Sequence, residues 1–229
     1  EGASVITGDK RMRQRPINDL LDALRQLGVK SESNGGSPPA KIYGGNFIGG
    51  TARLKCSISS QYLSSILMVA PYAKKDVTIS IMGNLTSKPY VDITIDVMKN
   101  FGVDVKNQNY RRFTIKNDKK YKPRDYKVEG DASSASYFFA AAAVTKGRVM
   151  VKNINPGSKQ GDIGLADALK IMGCGVRKGK DFIEIKGAGM KFGGDFAGKL
   201  SDCVSASLCA ISYAGNKECI TSKKHYCSS

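Results

Sequence analysis

No apolar run in the sequence is long enough to cross a bilayer: the longest, residues 137–144, is about eight residues, against roughly 20 for a membrane-spanning helix. There is no C-x-x-C pair and only one histidine, His225, so the ligand spacing of a zinc site is missing. There is also no glycine-rich phosphate loop with its lysine. The pairs Gly35-Gly36, Gly44-Gly45 and Gly49-Gly50 read as turn chemistry, which speaks against nucleotide hydrolysis. Acidic residues are few: 20 Asp and Glu against 36 Lys and Arg leave a charge of +16. A field of that sign gathers anions, nucleic acid or phosphorylated metabolites among them. The sequence opens on Glu1 without Met or a basic-then-apolar leader, and reads as a piece of something longer.

What is present is a globular composition. With 229 residues, 41% hydrophobic and 24% charged, a disordered tail and a collagen-like fibre are excluded. The positive charge is scattered and forms no single block. Basic residues interleave with aromatics only in residues 109–113 and 121–126, and both stretches read as solvated loops or strand edges, not as an RNA-reading surface. The six cysteines, Cys56, Cys174, Cys203, Cys209, Cys219 and Cys227, read as buried free thiols. Cys219, His225 and Cys227 can be drawn as a metal cluster, but their spacing does not favour it.

Self-comparison is more informative. Residues 15–29, 89–103 and 161–175 share one shape, each ending apolar-Gly-small at Gly28, Gly102 and Gly173. Counting back one, four and seven places gives Leu27, Leu24, Leu21; Phe101, Met98, Ile95; and Met172, Leu169, Ala166. That is one face of an amphipathic helix, with glycine where it must stop. A second class of segment, residues 59–73, 133–147 and 202–215, begins with small hydroxyl residues and runs through alanines. Strand-like residues follow at 77–81, 148–151 and, more weakly, 219–221. The repeat is about 70 residues: helix, strand, polar hairpin, second helix, strand. The nearly all-apolar residues 137–144 read as a helix buried at the centre of one such module.

Polar groups cluster where each second-type helix begins: Ser57, Ser59, Ser60 and Gln61; Asp131, Ser133 and Ser134; Ser201, Asp202 and Ser205. Free N–H groups at a helix start can hold a phosphate or carboxylate together with such hydroxyls. The same residues also serve as ordinary N-caps.

The segments Met12-Arg13-Gln14-Arg15-Pro16-Ile17, Ser57-Ile58-Ser59-Ser60-Gln61-Tyr62-Leu63, Ser87-Lys88-Pro89-Tyr90-Val91-Asp92, Glu129-Gly130-Asp131-Ala132-Ser133-Ser134 and Gln160-Gly161-Asp162 together resemble the 5-enolpyruvylshikimate-3-phosphate synthase family. The match runs in order from about Val5 to Gly175 and fades beyond Lys180. The resemblance implies an α/β (α+β) fold of repeated βαβαββ modules in two domains. Residues 1–129 would then belong to the first domain and 130–229 to the second, with the crossing near Glu129-Gly130. It implies transfer of the enolpyruvyl group of phosphoenolpyruvate to the 5-hydroxyl of shikimate 3-phosphate, with no metal or organic cofactor. The partners implied are those two substrates, with no membrane and no nucleic acid, in a cytoplasmic (or plant plastid) monomer. Ser59, Ser60 and Gln61 resemble the group that holds the shikimate phosphate and ring, and Ser87 and Tyr90 resemble further contacts to it. Arg15 is similar to the arginine that grips phosphoenolpyruvate, a task suited to a planar fork of donors. Asp202 would be the proton shuttle at the 5-hydroxyl, although Ser201, Cys203 and Val204 depart from the family's Pro-Asp-Ala-Ala segment. Several of the family's lysines and arginines would fall outside this stretch, and charge neutralisation in the transition state needs them, so the chain alone is expected to be nearly inactive. The other reading left open is a non-catalytic anion- or RNA-binding module on the same scaffold.

Overall fold

The computed structural model describes residues 2–56 and 59–188. The chain begins with β1 (Ala3–Ile6), α1 (Asn18–Gln26), β2 (Ser31–Asn34) and β3 (Ser37–Tyr43). It continues through β4 (Gly50–Lys55), α2 (Gln61–Val69), β5 (Val77–Met82), α3 (Lys88–Asn100), β6 (Val105–Gln108) and β7 (Arg112–Ile115). Then come α4 (Ala132–Thr145), β8 (Arg148–Lys152), α5 (Gly164–Ile171), β9 (Gly175–Lys178) and β10 (Phe182–Lys186). The chain divides after Asp125 into two compact units, a few residues ahead of the Glu129-Gly130 crossing that the resemblance implies.

The three helices expected to stop at glycine end in the same way. Gly28, Gly102 and Gly173 have φ of 91°, 91° and 97°, a region where a side chain is disfavoured. The residue after each glycine donates back to the helix: Val29 to Leu24, Val103 to Met98, and Cys174 to Leu169, at 2.9, 2.9 and 3.0 Å. This is the Schellman closure, and it satisfies carbonyls that the helix leaves open. Val29 is half-buried, and Val103 and Cys174 are buried, so each stop also fixes an apolar contact.

One topology recurs in the described residues: a strand, a helix, then a hairpin whose second strand returns beside the first. It gives the strand orders β1-β3-β2, β5-β7-β6 and β8-β10-β9, antiparallel throughout. In the middle copy β4 adds to β5 in parallel, completing β-α-β-α-β-β as a four-stranded sheet β4-β5-β7-β6. A parallel neighbour needs a crossover, and α2 supplies it. Between α1 and α2 the hairpin comes first and the single strand β4 follows it, the reverse of the order expected from sequence.

Each unit has its own core. In the first, Ala52, Leu54, Val77, Ile79, Phe113 and Ile115 line one sheet face against Leu27, Leu63, Ile66, Val91 and Met98. In the second, Ala135, Phe139 and Ala142 of α4 and Leu165 and Leu169 of α5 pack on Ile183 and Ile185.

Two expectations fail here. Residues 137–144 are not buried all round: Tyr137 and Phe138 are 72% and 60% exposed, because only the stripe at Ala135, Phe139, Ala142 and Ala143 meets the sheet. The stretch 109–113 is not a solvated edge either. Phe113 is wholly buried and Tyr110 packs against the same core, since the alternation of β7 turns Phe113 and Ile115 inward. Cys56 and Cys174 are free and buried, as expected, whereas the other four cysteines and His225 lie outside the described residues.

Candidate functional site

The parallel pair decides where polar groups collect. β4 and β5 run in register from Gly50 opposite Val77 to Lys55 opposite Met82, so the chain leaves both strands at the same end. In open sheets that carboxyl end is where ligands sit. The Thr86 N–H and hydroxyl both donate to the Cys56 carbonyl, at 3.4 and 3.0 Å. This ties the chain leading to α2 against the chain leading to α3.

Ser59 Oγ accepts from the Gln61 N–H at 3.1 Å. Ser60 stands at the N-cap of α2 without a side-chain cap bond. It is buried, while Gln61 is exposed on the first turn. Ser87, at the N-cap of α3, has φ of 50°, a left-handed turn that few side chains adopt. Pro89 then sets the first turn, and Tyr90 is 48% exposed. The helices are joined behind these groups: Ser64 and Thr94 hydroxyls lie 2.8 Å apart, and Thr94 donates to the Tyr90 carbonyl at 2.8 Å. Thr94 therefore spends its one proton on Tyr90 and accepts from Ser64.

Arg15 stands near Tyr62 on the first turn of α2. It is exposed and extended just before Pro16, whose carbonyl accepts the Tyr62 hydroxyl. Burial and the nearby Asp19 raise the Tyr62 pKa, and the Arg15 charge opposes them. Burial first, and then Asp19, push the Cys56 thiol up to about 12, so it remains a protonated core group and no nucleophile. Ser59, Ser60, Gln61, Ser87 and Tyr90 are thus brought to one end of one sheet, with Arg15 next to the start of α2 through the Pro16–Tyr62 bond. Ser57, Ser201, Asp202 and Ser205 lie outside the described residues. Sequence reasoning missed Tyr62, Ser64, Thr86 and Thr94. Thr94 stands four residues after Tyr90, a helical-face spacing that could have marked it.

The corresponding helix start in the second unit is closed on itself. Asp131 caps α4, accepting from the Ser133 and Ser134 N–H groups at 3.0 and 3.2 Å. The Ser134 hydroxyl leads the bonds that hold this carboxyl below its ordinary value. Ser133 donates to the buried Asp162. Gln160 accepts from the Ala132 N–H and donates to the Gly130 carbonyl, at 2.7 and 2.9 Å. Among the described residues no cluster of His, Cys, Asp or Glu has the arrangement of a metal site, and no helix is long and apolar enough to cross a membrane.

The family model of EPSP synthase (3-phosphoshikimate 1-carboxyvinyltransferase) matches residues 1–197. The chain belongs to this family. It is 52% identical over 182 residues to the 3-phosphoshikimate 1-carboxyvinyltransferase of Citrobacter koseri, covering 78% of this chain and 42% of that protein. Against the enzyme of the same name from Sulfurovum sp. the identity is 50% over 187 residues, covering 80% and 44%. Two solved structures of EPSP synthase from Acinetobacter baumannii share the fold. One has a TM-score of 0.63 at 27% identity, over 82% of this chain and 43% of that one. The other has a TM-score of 0.68 at 26% identity, over 93% and 48%. The chain spans less than half the length of the curated relatives it matches.

Proposed function

We propose that this chain carries the shikimate-3-phosphate-binding part of an enzyme that moves the enolpyruvyl group of phosphoenolpyruvate onto the 5-hydroxyl of shikimate 3-phosphate. In that reaction the bond between the enol carbon and the phosphate oxygen breaks, a bond from that carbon to the 5-oxygen forms, and the hydroxyl proton leaves with inorganic phosphate. The observation that carries this reading is the convergence of the segments 59–61 and 87–90 at the carboxyl end of the β4–β5 pair, with Arg15 beside them. Ser59, Ser60, Ser87 and Tyr90 donate hydroxyls to the sugar-acid phosphate, Gln61 holds the ring, and Arg15 forks onto phosphoenolpyruvate. Asp202 is assigned the proton shuttle. Family membership supports the substrates, and two anionic substrates agree with a charge of +16.

Calorimetric titration of the chain with shikimate 3-phosphate tests the reading. Saturable heat that drops at least about tenfold in affinity in Gln61→Ala or Tyr90→Ala supports it, and absence of binding contradicts it. The RNA-binding alternative has little left to stand on. Of the four aromatics that interleave with basic residues, Phe113 is core, Tyr110 is bonded to Asp92 and Tyr121 donates to the Met68 carbonyl, which leaves Tyr126 as the exposed one.

A further inference from the structure

A second polar concavity lies on the opposite flank of α3. Thr94 faces α2 through the Ser64–Thr94 bond, and Tyr90 stands one turn before it on the same helix face. Lys88 and Asp92 face the β6–β7 hairpin, where the Tyr110 hydroxyl meets both Asp92 oxygens at 2.8 and 2.9 Å. Between this flank and the hairpin is a cavity of about 260 Å³ lined by Gly83, Asn84, Leu85, Lys88, Asn109, Tyr110 and Arg111. Two of those residues are cations and none is a carboxylate.

The way the charges are partnered is informative. Asp92 stands four residues after Lys88, the spacing at which a helix normally forms an ion pair. Among the described residues no Lys88–Asp92 pair forms, because the Tyr110 hydroxyl occupies the carboxylate. Lys88 Nζ instead lies 5.1 Å from the centre of the Tyr110 ring, a contact that leaves its charge unneutralised. Arg111 gives one N–H to the Gly83 carbonyl at 3.1 Å and has no carboxylate partner among the described residues. The hairpin tip that presents these groups is fixed by left-handed residues, Asn109 and Tyr110, at φ of 50° and 56°. Tyr110 is held there by its bonds to Asp92 and by its edge against the Phe113 ring. Two unneutralised cations on the walls of one concavity concentrate positive potential inside it.

We infer that this cavity binds a phosphate group, with Lys88 and Arg111 supplying the charge and Asn84 and Asn109 supplying amide donors. Tyr110 acts as a positioning residue by keeping Asp92 away from Lys88. The cavity lining shares no residue with Arg15, Ser59, Ser60, Gln61, Ser87 and Tyr90, and the inference does not depend on the reading of that rim. The ligand is either free phosphate or the phosphate of a small ester.

The test is a titration of the full ¹⁵N-labelled chain with inorganic phosphate, and separately with glycerol 3-phosphate, at constant ionic strength balanced by chloride. The amides of Gly83, Asn84, Asn109 and Arg111 are expected to shift together on one saturating curve, the tighter probe identifying the source. Lys88→Gln and Arg111→Gln, both at exposed positions, each weaken binding about tenfold. Tyr110→Phe weakens it as well, because Asp92 is released to pair with Lys88, and adding Asp92→Asn restores it. A purely structural role for Tyr110 would not give that rescue. Shifts that never saturate or that chloride reproduces mean an adventitious ion only and overturn the inference. So does unchanged affinity in the Lys88 and Arg111 variants when circular dichroism shows them folded.

Discussion

The starts of α2 and α4 look alike in sequence, each a run of small hydroxyl residues ahead of an apolar helix, yet they are built differently. At α4 a carboxylate closes the end: Asp131 takes two backbone N–H groups, Ser133 is bonded to Asp162, and Gln160 satisfies the neighbouring backbone. At α2 no carboxylate caps the helix, the N-cap Ser60 makes no cap bond, and Gln61 stands exposed. The spacing of hydroxyls therefore does not separate a capped helix from an open one. The position of the acid does.

The largest differences between the two units are expected in their cores. Phe113→Ala and Phe139→Ala remove side chains buried in the first and second unit respectively, and each is expected to lose about 3–5 kcal/mol in urea denaturation. Followed by probes in each unit, the loss belongs to the unit that carries the substitution. Next in size is the strain at the helix stops. Gly28→Ala forces a side chain into φ of 91° and within 2.8 Å of Ile48, whereas Gly102→Ala at the same φ meets only the Lys122 chain at 3.5 Å. Both cost about 1–2 kcal/mol for the left-handed backbone, and Gly28→Ala costs more, as thermal melts would register. Caps come third: Asp131→Ala is expected to lose about 1 kcal/mol, and Ser60→Ala at most a few tenths, because only the first makes side-chain cap bonds.

The smallest expected effect is on acid stability. Glu184 is held below its ordinary 4.5 by hydrogen bonds from Arg148 and then Arg177. Asp76 is held below 3.8 by Lys116 and then the Asn117 N–H. For a lowered carboxylate the stabilisation is complete above the ordinary value and is lost as pH falls through the folded one. Glu184→Gln removes that acid-side loss from the second unit, and Asp76→Asn removes it from the first. Urea midpoints recorded from neutral pH down through the carboxylate range check both, and added salt diminishes both effects.

Much of this was legible in the sequence because it is local. Apolar residues one, four and seven places before a glycine dictate a helix, its buried face and its Schellman stop, as Leu21, Leu24 and Leu27 before Gly28 illustrate. The motifs around Arg15, Gln61 and Tyr90 were also legible as candidates. Their meeting on one substrate came from the resemblance alone, since the geometry depends on β4 and β5 pairing in parallel across the α2 crossover, a contact no spacing reveals. The exposed face of α4 was illegible for the opposite reason. A helix of alanines, phenylalanines and a tyrosine gives almost no periodic signal for the side that meets the sheet. Phe113 was obscured by Arg111 and Arg112, although the alternation through Ile115 marked it as core.

The rim at the carboxyl end of β4 and β5 is the part of the molecule on which the proposed function turns. Titration of the ¹⁵N-labelled chain with shikimate 3-phosphate tests it directly. The predicted result is that amides of Gln61, Tyr62 and Tyr90 shift together on one saturating curve, and that any shifts at Asn109 and Arg111 follow a separate curve. Saturating shifts confined to residues away from that rim, or no shifts at all, would contradict it.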